Sequence, residues 1–407
     1  MNKLKNQMKQ ISGPLCLCIG AGITRHFVGS WDELLNCLAR QMLLGCYKQN
    51  NKQRLDLQKK LEKVTILEKE TVLQQCEYLL GASVKTTTLS REEDYFRREI
   101  AMAEQVRALL QAKENSLRPK DNSFQDYVFR VMEETERKNR TTPVSKWIAE
   151  KDVGSLAGVI RLCLKQGIAH IIDYNFDTIL DESLADPRIQ SLLGVKDCKV
   201  HAWTYGVGSD LKRPISHSGV TYHYGEMPYD FLPYRENTSD KTINIYHLHG
   251  VCHRDLPTQP IIFSEHSYDE YQGKQWNWSN QILVSLLERY DILTIGFSGT
   301  DLNFRRQVIR VKEEHESLMF GTEPKRVILT LSKKDYYEKM KRKGFSEDQK
   351  NFIANQYFQM MKQYFLEYYG IYVGLVNGYD DLSIRLEKWA INPEKLGKWI
   401  DKQCEQP

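Results

Sequence analysis

The stretch Leu15-Cys16-Leu17-Cys18-Ile19-Gly20-Ala21-Gly22-Ile23-Thr24 decides how this chain is read. Its first five residues are an unbroken apolar run, short enough for a strand and without polar alternation, the pattern of a strand buried on both faces. Gly20-Ala21-Gly22 then turns the chain, and an amphipathic helix is predicted from Trp31 to Leu44. Strand, glycine turn and helix in that order open an α/β fold with a parallel sheet.

The pattern returns further along. A helix over 154–166 leads to the strand Ala169-His170-Ile171-Ile172, a turn, and a helix opening near Asp177. Strands are predicted at 243–248, 260–263, 291–296, 326–331 and 371–376, with helices at 276–289, 333–342 and 347–368 and one more after the last strand. Short apolar strands separated by helices predict a Rossmann-like parallel sheet covered on both faces, and ligands bind such sheets beyond the carboxyl ends of the strands. Helical periodicity at 53–63, 67–80, 91–112 and 123–138 marks a helical insertion, with Pro143 and Ser145 opening a further helix. Residues 205–240, rich in Gly, Pro, Ser, Tyr and Asp, read as an irregular excursion with few regular elements. The expected organisation is a first segment of the sheet domain at 1–48, the insertion at 49–150, the remainder of the sheet domain at 151–335 with its excursion near 203–240, and a helical C-terminal region with one late strand at 336–407.

Composition sets outer bounds. The 407 residues, 41% hydrophobic and 27% charged, suit a globular protein with a proper core. A net charge of +4 is weak at this length and argues neither for nor against nucleic acid. No apolar run approaches the roughly 18 residues of a membrane-spanning helix. The basic start before residues 14–23 resembles a short secretory signal, but the apolar run passes straight into a glycine turn and a helix, as a buried first strand does. The nine cysteines are scattered and form no C-x-x-C pair, which disfavours a paired zinc site and suits a reducing cytoplasm.

Four motifs fall at predicted strand ends. Gly20-Ala21-Gly22-Ile23-Thr24 can let a phosphate approach backbone N–H groups, although a tight structural turn explains it equally well. Asp173-Tyr174-Asn175-Phe176-Asp177 offers Asn and Asp groups that can hold an amide, a hydroxyl or water, or cap the next helix. Tyr246-His247-Leu248-His249-Gly250 places two histidines on one strand face. A histidine can act as a general base, and one of the two, His247, is expected to be a satisfied core residue instead. Gly296-Phe297-Ser298-Gly299-Thr300-Asp301 has the small and hydroxyl residues that hold a ribose or phosphate, and misses the G-x-S-x-G nucleophile elbow because Thr300 replaces the last glycine. His247, His249, Cys252 and His253 are also metal-ligand types at short spacing, without an accompanying Asp motif.

Taken together, GAGIT (20–24), NFD (175–177), HLHG (247–250) and GFSGTD (296–301) resemble the sirtuin superfamily over roughly 15–40 and 150–335. Trp31 and IIFSEHSYDEY (261–271) resemble its prokaryotic branch. The resemblance implies that Gly20, Ala21, Gly22, Ile23 and Thr24 bind the phosphates and ribose of NAD. It implies that Asn175 and Asp177 surround the nicotinamide ribose, that His249 is the base, that Gly296 and Ser298 hold the adenosine side, and that Asp301 also binds the cofactor. Protein-deacylating sirtuins carry a four-cysteine zinc module, whereas residues 195–243 here hold only Cys198. The chain is more similar to the sirtuin-like NAD hydrolases of bacterial antiphage defence, including Thoeris-type effectors and those paired with HerA-type ATPases.

The resemblance implies a cytoplasmic NAD⁺ hydrolase with NAD as substrate and no metal. It would act as a homo-oligomer, with a HerA-type ATPase as partner and with nucleic acid involved only indirectly. Three other readings stay open: a sensor that binds NAD or ADP-ribose without turnover, a metal-dependent nuclease subunit, and a zinc-independent deacylase.

Overall fold

The computed structural model describes residues 14–24, 155–205, 213–225, 241–253, 255–256, 261–262, 277–299, 301–317, 325–334 and 347–405. In chain order the elements are β1 (Leu15–Ile19), α1 (Ser155–Gln166), β2 (His170–Asp173), α2 (Ile179–Ala185), α3 (Pro187–Leu192), β3 (Lys199–Thr204), β4 (Ile215–His217), β5 (Val220–Tyr224) and β6 (Thr242–His247). They continue with α4 (Trp278–Arg289), β7 (Asp291–Ile295), α5 (Leu302–Ser317), β8 (Val327–Ser332), α6 (Glu347–Tyr364), a π-helical turn (Phe365–Tyr369), β9 (Ile371–Val376), α7 (Tyr379–Ile391) and α8 (Pro393–Cys404). The chain divides into two compact units, Met1–Thr24 with Thr142–Val251 and Trp276–Pro407, and Arg25–Thr141 with Cys252–Gln275. All the elements named here belong to the first unit.

Nine strands form one sheet in the order β4-β5-β3-β6-β2-β1-β7-β8-β9. Every pairing is parallel except β4 with β5. This is the α/β class that the unbroken apolar strands predicted. β1 lies between β2 and β7, with Ile19 opposite Asp173 on one side and Ile295 on the other. Strands on the β2 side are laid down first, and the chain then crosses to β7 on the other side of β1. That reversal makes β1 the switch point of the sheet, and ligands of parallel sheets bind in the crevice beyond the carboxyl ends of the strands at such a point.

Strand alternation divides the core. Cys16 and Cys18 share a fully buried cluster with Ile172, Tyr246, Ile292, Leu329 and Val373, together with Leu283 and Leu286 of α4, Phe304 and Val308 of α5, and Phe365 of the π-helical turn. Leu17 and Ile19 point to the opposite face and are as deeply buried. Gly158 lets α1 and α7 approach closely, because a Cβ there would stand 2.7 Å from Leu386 Cβ. Burial drives the thiols of Cys16, Cys18 and Cys163 far above their usual range, so these cysteines are inert core residues.

The predicted excursion at 203–240 proves to contain a hairpin, β4–β5, joined to the sheet through β3. Its two-residue loop, Ser218-Gly219, has positive φ at both positions, 49° and 82°, as a two-residue turn matched to strand twist requires. The composition of the region hid two short strands around a Ser-Gly turn. Ile261 and Ile262, read as part of a strand, have no strand conformation. The helix read over 347–368 is α-helical to Tyr364 and then widens into the π-helical turn, closed by Gly370 at φ +69°. The helices read at 31–44 and at 53–138 lie outside the described residues, as does most of 333–342. Among the described residues no helix is long and apolar enough to cross a membrane.

Candidate functional site

The turns after β1, β2 and β7 and the end of β6 converge at the crevice. The β1 turn is the hub. Gly20 N–H donates to the Ile295 carbonyl at 3.3 Å and Gly22 N–H to the Gly296 carbonyl at 3.0 Å, so the β1 and β7 turns lie backbone against backbone. A Cβ on Gly22 would stand 2.7 Å from Gly296 Cα, and Gly296 itself has φ +65°. These glycines are therefore required by the packing of one turn on the other, whatever else they hold. Ala21 is exposed, Ile23 and Thr24 are buried, and the Thr24 hydroxyl donates to Asp177 Oδ2 at 3.0 Å. That bond ties the β1 turn to the β2 turn across 153 positions of sequence.

Carboxylates shape the β2 turn. Asp173 Oδ1 accepts from Asn175 N–H at 2.7 Å, and Asp177 Oδ1 accepts from Ile179 N–H at 3.2 Å at the start of α2. Both oxygens of Asp177 are thus engaged by the protein, one by a backbone N–H and one by Thr24. Asn175 differs. It is 5% exposed, and among the described residues neither Nδ2 nor Oδ1 of its amide has a hydrogen-bond partner. It caps nothing, although its place in a turn allowed a cap in the sequence reading. An unsatisfied buried amide costs about 1–3 kcal/mol and persists only where something else requires it.

The sequence put His247 and His249 on one strand face, but β6 ends at His247, so His249 sits in the following turn. The two imidazoles meet different carboxylates. His247, fully buried, places Nε2 2.8 Å from Asp181 Oδ2 and Nδ1 3.4 Å from the Asn175 carbonyl. Tyr222 donates its hydroxyl to the same Asp181 oxygen at 3.2 Å. Burial opposes charge on His247, but Asp181, by charge and hydrogen bond, together with Asp173 and the Asn175 carbonyl, outweighs it and pushes the imidazole up to about 9. Burial also raises the Asp173 carboxyl well above its usual range, with the His247 charge opposing and Asp181 and Asp177 adding to the rise. His247 is the satisfied core histidine the sequence predicted, and it braces the carbonyl of Asn175 from behind. Asp173, Asp181 and His247 also bring three potential metal-ligand atoms within 4.8 Å of one another, all buried.

His249 is the more accessible of the two, with its side chain 12% exposed and Nε2 3.2 Å from Asp301 Oδ2. The Tyr174 ring meets it edge-on at 4.7 Å and Phe176 lies at 6.4 Å, nearly parallel. Phe297 stacks on Tyr174 at 4.6 Å. Asn175 is thus flanked in sequence by the two aromatic rings that hold His249. Ser298 is exposed on the β7 turn, while Asp301 is buried at the start of α5, its Oδ1 accepting from Phe304 N–H at 2.6 Å. Arg305, buried and unmarked by any motif, donates Nε–H to the Gly299 carbonyl at 2.5 Å. Its guanidinium lies 4.9 Å from the Phe365 ring and 5.1 Å from that of Tyr369, fastening the β7 turn to the π-helical turn. An Arg four residues into a helix carries no sequence signal for this, since the two rings its guanidinium meets come from 60 and more positions away.

The result is a small polar centre, an unsatisfied amide and a carboxylate-paired imidazole, bordered by aromatic rings and by two glycine turns. It can orient a hydroxyl, an amide or a water and accept a proton. All eleven residues singled out in the sequence lie on these four segments. No curated protein matches the sequence. Residues 169–356, which run from the threshold of β2 into α6 and leave β1 with its glycine turn outside, match the family model described as a SIR2-like domain, and this part of the chain is thereby supported as a sirtuin-like domain of NAD-related function.

Proposed function

We propose that the protein is an NAD⁺ glycohydrolase. The observation that carries this reading is the buried Asn175 amide, without a hydrogen-bond partner among the described residues and flanked in sequence by the two aromatic residues that hold His249. A ligand presenting a ribose hydroxyl, a carboxamide or an attacking water would satisfy that amide. The crevice position and the glycine turns fit a dinucleotide. Bound NAD⁺ supplies the bond between nicotinamide and ribose, whose cleavage by water yields nicotinamide, ADP-ribose and a proton. Asn175 orients the water or the ribose, and His249 accepts the proton from that water or from a ribose hydroxyl. Tyr174, Phe176 and Phe297 keep the reacting groups away from bulk solvent, which strengthens each polar interaction there. Asp177, with both oxygens bound within the protein, serves by holding the turn that carries Asn175. Gly296 and Ser298 offer a site for the remainder of the dinucleotide.

In this reading the chain acts as a homo-oligomer with a HerA-type ATPase and depletes NAD⁺ in antiphage defence, a role that rests on the resemblance of its motifs to such hydrolases. The test is incubation of the full-length protein with NAD⁺, alone and with such a partner, with nicotinamide and ADP-ribose read by chromatography. Product that disappears in Asn175→Ala and in His249→Ala is the expected result. NAD⁺ bound without product overturns the hydrolase reading in favour of a sensor. Turnover abolished by EDTA and restored by a divalent ion would instead point to metal chemistry at the Asp173, Asp181 and His247 cluster.

A further inference from the structure

We propose that Asp301 is a positioning residue that fixes the tautomer of His249 and so assigns the proton-accepting role to Nδ1. The inference rests on the hydrolase reading for its catalytic half and on geometry alone for its structural half. Asp301 Oδ2 lies 3.2 Å from His249 Nε2, and the carboxylate is 4% exposed. Its other oxygen, Oδ1, accepts from Phe304 N–H at 2.6 Å, in the first turn of a 16-residue helix. The N-terminal end of a helix is where a negative charge is best accommodated. A carboxylate there can only accept, so the hydrogen it shares with the ring resides on Nε2. A neutral imidazole carrying its proton on Nε2 has Nδ1 as its only basic nitrogen. The edge contact with Tyr174 at 4.7 Å and the Phe176 ring at 6.4 Å hold the ring plane, so that tautomer and orientation are set together.

The two bonds of Asp301 make the inference testable by one atom. In Asp301→Asn the side-chain oxygen must stay on Phe304 N–H to keep the helix cap, which asparagine serves as well as aspartate. The amide nitrogen then faces His249 and donates, which forces the ring to accept at Nε2 and moves its hydrogen to Nδ1. The base is lost while the cap, the turn and the binding surface persist. Neutralising the aspartate beneath a catalytic histidine in serine proteases, where the tautomer is likewise inverted, lowers turnover on the order of 10⁴-fold.

The experiment is ¹⁵N NMR of the full-length protein labelled at histidine, with His249 assigned by its loss in His249→Gln, run beside steady-state NAD⁺ kinetics. Wild type is expected to show His249 protonated at Nε2 and Asp301→Asn to show it at Nδ1. The kinetics are expected to show kcat down by about 10²- to 10⁴-fold and KM changed by less than about threefold. Unchanged thermal midpoint in Asp301→Asn separates this from misfolding. A wild-type ring protonated at Nδ1, or an identical ring state in both proteins, overturns the proposal. So does loss of activity expressed wholly in KM, which would make Asp301 a ligand of the dinucleotide. Failure of the wild type to hydrolyse NAD⁺ would sink the hydrolase reading by itself, because the tautomer shift is read without turnover and would still support the assignment of Asp301.

Discussion

Replacing Asn175 by leucine should stabilise the protein and abolish its activity. Leucine has the branched shape of asparagine and the same number of side-chain heavy atoms. The Asn175 amide is 5% exposed and carries a donor and an acceptor that find no partner among the described residues. A buried polar group left unsatisfied costs about 1–3 kcal/mol, and an apolar replacement of similar shape removes that cost. The backbone bond from Asn175 N–H to Asp173 Oδ1 at 2.7 Å survives the change, and the residue does not occupy the left-handed region, so no new backbone strain arises. The expected gain is about 1–3 kcal/mol, read as a higher urea midpoint at unchanged slope, or as a rise of a few degrees in thermal midpoint. NAD⁺ hydrolysis should fall to background in the same sample. A residue whose removal raises stability while destroying turnover is retained for function. A drop of 1 kcal/mol or more in Asn175→Leu would refute the reasoning, since it would mean that the amide is bonded within the folded protein and serves the fold.

Two further predictions concern the frame around the site. His247, raised from its usual value of 6.5 to about 9, contributes stability that is fully present below pH 6.5 and is lost as pH rises through 9. A rise of that size is worth about 3 kcal/mol, and the raised Asp173 carboxyl acts in the same direction. Wild type should therefore lose that much more than Asp181→Asn between pH 6 and pH 10 in urea titrations, and equal losses would disprove the bracing role. Gly296→Ala should cost about 2–4 kcal/mol, the left-handed φ of +65° adding to a Cβ 2.7 Å from Ile23 N. Gly194→Ala, at φ +69° with open space around it, should cost only about 1 kcal/mol. Equal thermal shifts for the two would show that the β1 and β7 turns do not abut as described.

Much of the site was legible because its parts are local. A strand buried on both faces must be an apolar run, and the turn leaving it must carry glycine where another backbone comes close. LCLCI followed by GAG therefore announced both β1 and its turn, and GFSG did the same after β7. Asn175 and His249 were legible as chemistry-bearing residues at strand ends. The hairpin β4–β5 was not, because strands of three and five residues in polar sequence are held by pairing with β3 and carry little propensity of their own.

Pairing across the chain was decided by the tertiary structure alone. Asp177 read as a cap or as a ribose ligand; one of its oxygens does accept the Ile179 N–H at the start of α2, and the fold bonds the other to Thr24, 153 positions away. Asp301 read as a ligand of the dinucleotide, and the fold sets it on His249. HLHG read as two histidines on one face, and the end of β6 after His247 gives each its own carboxylate. Hydrophobic periodicity and glycine placement are properties of neighbouring residues, so the sequence determined the sheet and the segments that form the site. The partner of a polar side chain depends on which strand ends meet, a long-range property of the packed chain, so only the folded structure decided which groups are satisfied among the described residues and that both polar atoms of the Asn175 amide stay open.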